Sequence, residues 1–585
     1  MLVIRKCQPG RFRLRALAAA MTFGWGMQAH AVSFSLGEID GQFDSTLSIG
    51  ASWAVRGADP DNIGTFNGGS ASSQTGDDGR LNFKKGETFS KIFKGIHDLE
   101  LKYRDSGIFL RGKYWYDFEL KDEHRPFIEI DEHNRKEAAR SSGAQLLDAF
   151  AYHNYIVANQ PGTVRLGKQV VSWGESTFIG NSINSINPID VAAFRRPGAE
   201  IKEGLLPVNL LYLSQGLGDS LSAEFFYQLE WDQTVVDNCG TFFGADTIAD
   251  GCDDRLELSS LGDPATHLHM TRGADRDARD GGQYGIALRW FAEELNNSEF
   301  GFYVMNYHSR SPYLGAIVGT GPFTVRPGST ATTAEYFLEY PEDIRLYGLS
   351  FSTTAGGTAI SGEISHRPNM PLQLNSNDVT TAALAGQLGA ALGTPVFASG
   401  HARPIAGEEF HGYVRKPVSQ AQVTLTHFFD QVLTADRLTL VGEVGYNHLG
   451  DINDSALRFG RDSVFGNGEL PSNSNCTLLA NPVNPQECNS KGFYTTTSWG
   501  YRARAILDYQ NLLANVNLKP NLSWSHDVDG YGPNFNEGSK AVSLGLDADY
   551  RNTYSASLSY TDFFGGKYNT SIDRDFVALS FAVSF

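Results

Sequence analysis

The last eight residues of the chain, ALSFAVSF, alternate between large and small side chains up to the final position. From Val577 to Phe585 every second residue is large and apolar, and the residues between are alanine or serine. A repeat of two predicts a β-strand with one apolar face and one face suited to water. Because the ends of soluble domains usually fray into solvent, such a strand at the very end restricts the folds open to the chain.

Two earlier segments, 540–550 and 553–563, alternate in the same way. Asp547 and Asp549 lie on the polar side of the first of them. Strands of a water-soluble sandwich also alternate, so this pattern alone does not place the chain in a membrane.

The first 31 residues predict export. Five basic residues precede a short apolar stretch at 16–25, and Ala29-His30-Ala31 has the form of a cleavage site. This is the order of a secretory signal peptide, and the apolar part is too short for a spanning helix. We therefore expect a signal peptide at 1–31 and one domain at 32–585. Cleavage lowers the formal charge from −18 to −23, because the lost piece carries five basic and no acidic residues.

The cysteines agree with an oxidising compartment. Once Cys7 leaves with the signal peptide, four remain, and each closes a short loop with its neighbour: Cys239 with Cys252, and Cys476 with Cys488. Short loops favour this local pairing among the alternatives. No CxxC spacing or histidine pair accompanies them, so the sequence predicts structural disulfides and no metal site.

Strand candidates alternate between short and long gaps along the whole chain. Even gaps are at most about eight residues, whereas odd gaps run from about eleven to about fifty. Short turns on one rim and long loops on the other predict an all-β fold, a transmembrane antiparallel β-barrel of about 18 strands with periplasmic turns and extracellular loops. Barrels of 14 or 16 strands are the alternatives. The candidates are 43–55, 96–104, 108–120, 146–157, 163–170, 207–214, 220–231, 283–291, 299–308, 344–353, 358–366, 412–428, 437–448, 497–509, 513–526, 540–550, 553–563 and 575–585.

The aromatic residues and the C-terminus fit a Gram-negative outer membrane. Tyrosines and tryptophans gather near both predicted strand ends, as two interfacial girdles require. The terminal strand resembles the signature that outer-membrane assembly machinery reads in bacterial barrels, so Phe585 is the predicted assembly signal. The same strand must pair with the first one, because an open edge in lipid leaves backbone groups unsatisfied.

Several motifs resemble a large proteobacterial family catalogued as domain of unknown function 1302. They are LSIGASWAVR, DDGRLNF, LGKQVVSWGESTFI, INPIDV, YPEDIRLYGLSFSTTAGG, GEISHRPNMPLQLN, HDVDGYGPNF and DRDFVALSFAVSF, and they cover nearly the whole mature chain. The resemblance implies a porin-like outer-membrane barrel. It also implies a role beside an inner-membrane pump of the resistance-nodulation-division type and a periplasmic lipid-binding-like partner. The family has no agreed substrate.

No motif predicts an enzyme, a cofactor or a nucleic-acid partner. The chain has no GxSxG, HExxH, P-loop or Rossmann glycine pattern. DRDARDGG at 275–282 has Arg279 where a calcium loop needs Asp or Asn, so a solvated loop is the better interpretation. An outer-membrane hydrolase stays open as a remote alternative, because its catalytic residues would meet only in space.

Side chains cannot fill a lumen of this width, so it holds water or folded-in loops. The predicted inward faces are polar and of both signs, which argues against a simple anion pore. Any one of these residues acts either on solute or as lumenal scaffolding. The lumen-facing candidates are Arg111, Lys113, Asp117, Glu119, Arg502, Arg504, Asp508, Lys519, Asp547 and Asp549.

The gap 367–411 contains a predicted helix, SNDVTTAALAGQLGAALG, with Ser376 or Asn377 as its N-cap and Gly393 as its C-terminal stop. Its stripe of Leu384, Leu388 and Leu392 would lie in water on an exposed loop, and a helix of about fifteen residues is marginal without packing. We therefore expect it to pack within or across the barrel mouth as a gate. A surface helix on neighbouring loops is the alternative.

Two functions follow from these features. The first is a channel for small, hydrophobic or amphiphilic compounds, with apolar and aromatic loop residues at its entry. The second is the outer-membrane subunit of a pump-driven assembly across the envelope. The expected partners are the lipid bilayer, lipopolysaccharide and the assembly machinery in both cases, and the pump with its periplasmic partner in the second.

Overall fold

The computed structural model describes residues 32–245, 247–248, 255–259, 268–453, 456–469 and 481–585. Its strands are β1 Val32–Leu36, β2 Ile39–Ala54, β3 Thr88–Tyr103, β4 Ser106–Asp117, β5 Ser142–Val157, β6 Gln160–Gln169, β7 Val208–Gly216, β8 Leu221–Gln228, β9 Arg255–Ser259, β10 Leu268–Arg272, β11 Tyr284–Ala292, β12 Ser298–Tyr307, β13 Tyr313–Ile317, β14 Ala331–Glu339, β15 Ile344–Ala355, β16 Thr358–Gln373, β17 Glu409–Phe410, β18 Tyr413–Asp430, β19 Arg437–Leu449, β20 Thr497–Leu513, β21 Val516–Asp529, β22 Lys540–Tyr550, β23 Tyr554–Phe564 and β24 Phe576–Ser584. Its α-helices are α1 Asp78–Asn82, α2 Phe118–Asp122, α3 Val191–Arg195, α4 Ile201–Gly204, α5 Ser376–Ala385, α6 Gln387–Ala391 and α7 Pro395–Ala398.

Eighteen strands of the described residues form one closed antiparallel barrel: β2–β8, β11, β12, β15, β16 and β18–β24. Each pairs with the next along the chain, and β24 closes the barrel on β2, with Thr46 opposite Ser584 and Ala54 opposite Phe576. Closure pairs the backbone N–H and C=O groups at the edges of the first and last barrel strands, which a sheet in lipid requires. The predicted number of strands is confirmed, and the alternatives of 14 and 16 are wrong.

The connections sort by length as predicted. One rim has turns of 2 to 6 residues, and the other has loops of 10 to 55 residues. Several strands are longer than the alternation indicated: β3 begins at Thr88 instead of 96, and β16 continues to Gln373 instead of 366. Loops cover the outer end of β3, where Phe89 stacks on Phe242 with ring centroids 4.2 Å apart. Within this covered part Lys91 interrupts the apolar outward positions and Ile92 interrupts the polar inward ones, so the repeat of two is lost.

The two faces of the wall differ sharply. Ile364, Val423 and Val444 are 43–51% exposed on one face, whereas Glu363 and Glu443, one position away, are at most 4% exposed on the other. Large apolar side chains that are exposed in this alternation face lipid, and the polar positions face the lumen. Tyr550 and Tyr554 form a close pair at the turn rim, and Trp499, Tyr501 and Tyr560 lie toward the loop rim, as two girdles require.

Phe585 completes the closing pair of strands. Its N–H donates to the Ser45 carbonyl at 2.8 Å, and its own carbonyl accepts from the Ser45 N–H at 2.6 Å. Deleting Phe585 removes both bonds at the seam, together with the aromatic side chain. We expect lower levels of assembled, heat-modifiable barrel with unchanged export, measured in outer-membrane and periplasmic fractions. Normal barrel levels would remove the role of assembly signal from this residue.

The N-terminal strand β1 extends the wall beyond that seam. It pairs antiparallel with the start of β2, with Val32 opposite Phe43, so it lies next to the point where β24 ends. Val32 and Leu36 are 52% and 65% exposed. The predicted signal peptide, 1–31, lies outside the described residues and stays a prediction.

Only one cysteine of each predicted disulfide is described. Cys239 lies in the β8–β11 loop and Cys488 in the β19–β20 loop, whereas Cys252 and Cys476 lie outside the described residues. The local pairing therefore stays a prediction. Non-reducing peptide mapping should join Cys239 to Cys252 and Cys476 to Cys488, and a bridge between the two loops would contradict it.

Three long loops share a second, smaller sheet on the extracellular side. Its strand order is β17-β13-β14-β10-β9, with β10 and β14 parallel and the other pairs antiparallel. Helix α5 packs against β13 and β14. Their shared core, which we call the mouth cluster, also takes in residues at the outer ends of the barrel strands; it contains Met270, Ala316, Val318, Ala334, Tyr336, Leu372, Leu374, Val379, Ala382, Ala383, Leu384, Val396, Ala402, Phe410, Val418, Leu449, Ile452 and Phe459.

Candidate functional site: a loop folded into the barrel

The connection between β6 and β7, residues 170–207, folds into the lumen, and we call it the lumenal loop. Glu443 of β19 accepts hydrogen bonds from three consecutive backbone N–H groups of this loop, those of Thr177, Phe178 and Ile179, at 3.0, 2.6 and 2.8 Å. Because Glu443 points inward and is 1% exposed, these bonds place the tip of the loop inside the barrel.

A second carboxylate holds the same stretch from β16. Glu363 accepts from the N–H groups of Glu175, Ser176 and Ile183. An added Cβ at Gly174, where φ is +90°, would come within 2.4 Å of the Glu363 carboxylate. Glycine is therefore required there by both the backbone conformation and the close approach. Hydrogen bonds to a charged acceptor are stronger than neutral ones, so the two glutamates are firm anchors.

The other end of the lumenal loop is held by lysines from the far side of the wall. Lys94 of β3 donates to the Gly198 carbonyl and to the Glu203 carboxylate, both at 2.7 Å. Lys113 of β4 donates to Asp190 at 3.0 Å. The loop is thus bonded to β16 and β19 at one end and to β3 and β4 at the other, so it crosses the lumen.

Apolar packing fills the space between the lumenal loop and one side of the barrel. Trp173 is 1% exposed, contacts the rings of Phe226 and Tyr303, and donates its indole N–H to Glu224 at 2.6 Å. This part of the lumen is closed to solute because its side chains form a continuous core. The core contains Val171, Trp173, Ile183, Ile186, Val208, Leu210, Tyr212, Phe226, Ala287, Tyr303, Met305, Tyr307, Ile344 and Leu346.

The lumenal loop also presents apolar side chains that are not covered. Phe178, Ile189 and Phe194 are 38–41% exposed, and Ile201 is 73% exposed. Two short helices shape this part of the loop: Asp190 caps α3 by accepting from the Ala193 N–H at 2.9 Å. The narrowed lumen therefore offers apolar contacts next to a polar wall.

Several predicted lumen-facing residues serve as scaffolding. Arg111 pairs with Asp98 at 2.7 Å and with Asp148 at 3.2 Å, and Lys113 anchors the loop. Asp117 is buried at the end of β4, where it caps α2. Glu119 does not belong to the wall, because β4 ends at Asp117 and Glu119 lies in α2.

The β20–β23 side of the lumen keeps the other candidates. Arg502 pairs with Asp527 at 2.7 Å, and Arg504 follows it on the same inward face. Asp547 accepts from Ser557 and Asn521 at 2.6 and 2.9 Å. Toward the turn rim, Lys519 lies opposite Asp547, Asp508 lies opposite Arg437, and Asp549 accepts from the N–H of Asn552 in the turn. Serines line much of the remaining wall.

The predicted gate helix forms but breaks early. Its N-cap is Asn375, not Ser376 or Asn377, and it ends before Gly386, where φ is +49°, instead of reaching Gly393. Leu384 is buried in the mouth cluster, whereas Leu388 is 42% exposed, so the leucines do not form one buried stripe. The break at Gly386 turns the second half away from the face that α5 buries.

A buried ion pair ties this helix to the β19–β20 loop. Asp378 pairs with Arg458, whose Nε lies 2.9 Å from the carboxylate. Burial raises the pKa of Asp378, and Arg458 acts in the opposite direction. The mouth cluster also includes Val418 and Leu449. Val418 is two residues from the inward-facing Gln420 on β18, and Leu449 is two residues from the inward-facing Asn447 on β19, so both face the lumen. Helix α5 therefore packs over the inner edge of the mouth.

Sequence reasoning missed the anchors and the lumenal loop itself. The sequence analysis does not select Glu363, Glu443 or Lys94, although parity along β16, β19 and β3 places each of them on an inward face. The loop carried its own signal, since Val171, Trp173 and five isoleucines are too many apolar residues for a solvated connection. The motifs SWGESTFI and INPIDV both lie in it.

Within the described residues, no group of three or more His, Cys, Asp or Glu side chains could hold a metal ion. In the same part of the chain, no helix has the length and hydropathy to cross a bilayer.

A closed 18-strand barrel with an apolar outer belt, aromatic girdles and a lumen narrowed by a folded-in loop is an outer-membrane β-barrel of the porin-like channel class. Its place is the outer membrane of a Gram-negative bacterium. The chain belongs to the family described as protein of unknown function (DUF1302), whose sequence profile matches residues 12–585. The family predicted from the motifs is confirmed.

Solved structures with a similar fold are outer-membrane channels of low sequence identity. OccAB1 of Acinetobacter baumannii matches with a TM-score of 0.40 and 11% identity, covering 95% of this chain and 98% of that one. OccD3 (OpdP) of Pseudomonas aeruginosa matches with a TM-score of 0.39 and 11% identity, covering 96% and 94%. The outer-membrane channel DcaP of Acinetobacter baumannii matches with a TM-score of 0.35 and 10% identity, covering 95% of this chain and 100% of that one. A search of curated protein sequences finds no match.

Proposed function

We propose that the protein is a channel for small hydrophobic or amphiphilic compounds. The observation that carries this proposal is the set of exposed apolar side chains on the lumenal loop, with Ile201 and Phe178 as examples. A loop that served only to narrow a pore for hydrophilic solutes would gain nothing from apolar groups in water, since their exposure is unfavourable. Beside them, the serine-rich wall keeps the path wet.

Purified protein in liposomes tests this function. We expect faster uptake of a small amphiphilic dye than of a sugar of equal size. Replacing Ile201 with Ser should slow uptake of the dye and leave uptake of the sugar unchanged, because only the dye loses an apolar contact. Phe581→Ser, on the lipid face, is the matched control. If neither solute enters, the channel proposal fails; if the sugar enters faster, the substrate class is wrong.

We further propose that α5 and the mouth cluster act as a second, outer constriction. This cluster lies over the inner edge of β16, β18 and β19, and the Asp378–Arg458 pair fastens it there. Removal of Val379 to Gly393 should raise single-channel conductance and admit larger solutes. Unchanged conductance in a correctly assembled barrel would place the helix outside the solute path.

The pump-associated role is the second candidate, and the N-terminal hairpin favours it. β1 and the start of β2 expose Val32, Leu36 and Ile39 at the turn rim, the periplasmic side. A photo-crosslinker at position 36 should capture a resistance-nodulation-division pump or a periplasmic lipid-binding-like protein if the barrel works in such an assembly. Crosslinks to lipid alone would leave the channel as a separate protein. Neither candidate includes an enzymatic step.

A further inference from the structure

Arg504 differs from the other mid-barrel arginines in lacking a partner. Arg502 on the same strand pairs with Asp527 at 2.7 Å, and Arg289 pairs with Glu224 and Glu299, both at 2.9 Å. Arg367 donates to the carbonyls of the lumenal loop. Arg504 forms no ion pair or hydrogen bond with any residue that the structure describes, and its Nε is buried without an acceptor.

Two apolar residues, Val441 and Ile506, lie beside this unpaired cation on the inward face. The register places Val441 of β19 directly beside Arg504, with Ser523 of β21 on its other side. Ile506 lies on the same face two residues closer to the turn rim. It is opposite Thr439 of β19, which in turn is opposite Phe428 of β18, and Phe428 is 47% exposed. Facing side chains on adjacent strands are about 5 Å apart, so these groups form one patch.

The tip of the lumenal loop lies next to the same patch, on the side of the extracellular rim. Phe178 is bonded through its N–H to Glu443, the residue that faces Arg502 across the strands. Its ring is 39% exposed. A solute that passes the tip toward the periplasmic rim therefore meets an aromatic ring, then a guanidinium group, then aliphatic side chains.

We infer that Arg504, Val441 and Ile506 form a binding site for amphiphilic anions, compounds with one carboxylate or sulfonate head and an apolar body. The guanidinium binds the head in a bidentate manner, which satisfies its unpaired donors. The apolar neighbours bind the body. A single local site agrees with the pairing of the neighbouring arginines, because Arg502 and Arg289 already contact carboxylates.

This inference rests on the proposed channel function and is tested by block of ion current in planar bilayers. Octanoate is the probe, with acetate lacking the apolar body and octyltrimethylammonium carrying the opposite charge. In the wild type we expect octanoate to block at lower concentration than either. Arg504→Gln should raise the blocking concentration of octanoate about tenfold or more, because a hydrogen bond to a charged group is lost.

Two further variants separate charge from packing. Lys519→Gln removes an exposed lumenal charge from a neighbouring strand and should leave the octanoate block unchanged. Ile506→Ser should weaken the octanoate block and leave the acetate response unchanged. Unaltered open-channel conductance and heat-modifiability show that each variant is folded.

The outcomes distinguish this site from the channel itself. A wild type that conducts no ions contradicts the proposed function. A conducting wild type with equal octanoate block in Arg504→Gln overturns the inference and leaves the channel intact. A block lowered equally by Lys519→Gln also overturns it, because the effect would then come from general lumenal charge.

Discussion

Replacing both Glu363 and Glu443 with Ala should raise the single-channel conductance and the size limit for solutes. Together the two carboxylates accept six backbone N–H groups from residues 175–183. A hydrogen bond to a charged group contributes about 1.5–3 kcal/mol, so the loop tip loses most of what holds it. The Trp173 core keeps the base of the loop in place, so we expect an intact barrel with an unfastened tip. Planar-bilayer conductance and uptake of sugars of increasing size measure the change.

Glu299→Ala is the matched control for this pair. Glu299 is a lumenal carboxylate that pairs with Arg289 at 2.9 Å and is not bonded to the lumenal loop. It should leave the size limit unchanged. Glu443→Gln should have a smaller effect than Glu443→Ala, because the amide keeps one oxygen acceptor. An unchanged size limit in the double variant would mean that the core alone positions the loop.

Replacing Leu579 with Arg should destabilise the barrel by about 2–4 kcal/mol, the cost of a cation on the lipid face near the midplane. Leu579 is at the centre of β24, opposite Ala51 on one side and Leu558 on the other. Leu558 and Phe581 on the same face are 46% and 50% exposed, as lipid-facing residues are. Unfolding by urea in vesicles measures the loss.

The control for Leu579 must face open lumen. Ser580 faces inward but is 6% exposed, and its Oγ would lie 2.7 Å from a Cβ added to Gly198. An arginine at position 580 would clash with the lumenal loop. Ala582 is two positions along, opposite Ser48 and Ser555, and is partly exposed. Ala582→Arg should therefore cost less than Leu579→Arg, and equal costs would mean that the assigned faces are wrong.

The barrel could be predicted because its rules are local. Alternation along each strand, turn residues on one rim and long gaps on the other can all be read along the chain without knowing which distant residues meet. The same rules failed at 88–95, where Lys91 interrupts the apolar face of the strand, and at 367–373, where a bulge lies between Arg367 and Met370. They also misplaced Glu119, since Asp117 ends its strand by capping α2, and a cap depends on backbone geometry.

The candidate site could be predicted only in part. Inward residues such as Arg502, Arg504 and Asp547 follow from parity along a strand. Their roles do not, because pairing joins residues far apart in sequence: Lys113 bonds Asp190, 77 positions away, and Glu443 bonds Phe178, 265 positions away. The gate helix shows the same limit, since Gly386 ends it where the stripe of leucines continues in the sequence.

The sequence by itself determined that this chain crosses a membrane as strands, how many strands it uses and which face of each meets lipid. These properties follow from a repeat of two and from the cost of unpaired backbone in lipid, which act on every strand alike. Only the tertiary structure decided what fills the barrel. Glu363, Glu443, Lys94 and Lys113 come from distant strands, and closure of the barrel brings them around one loop. That convergence is a property of the closed barrel and of no single segment.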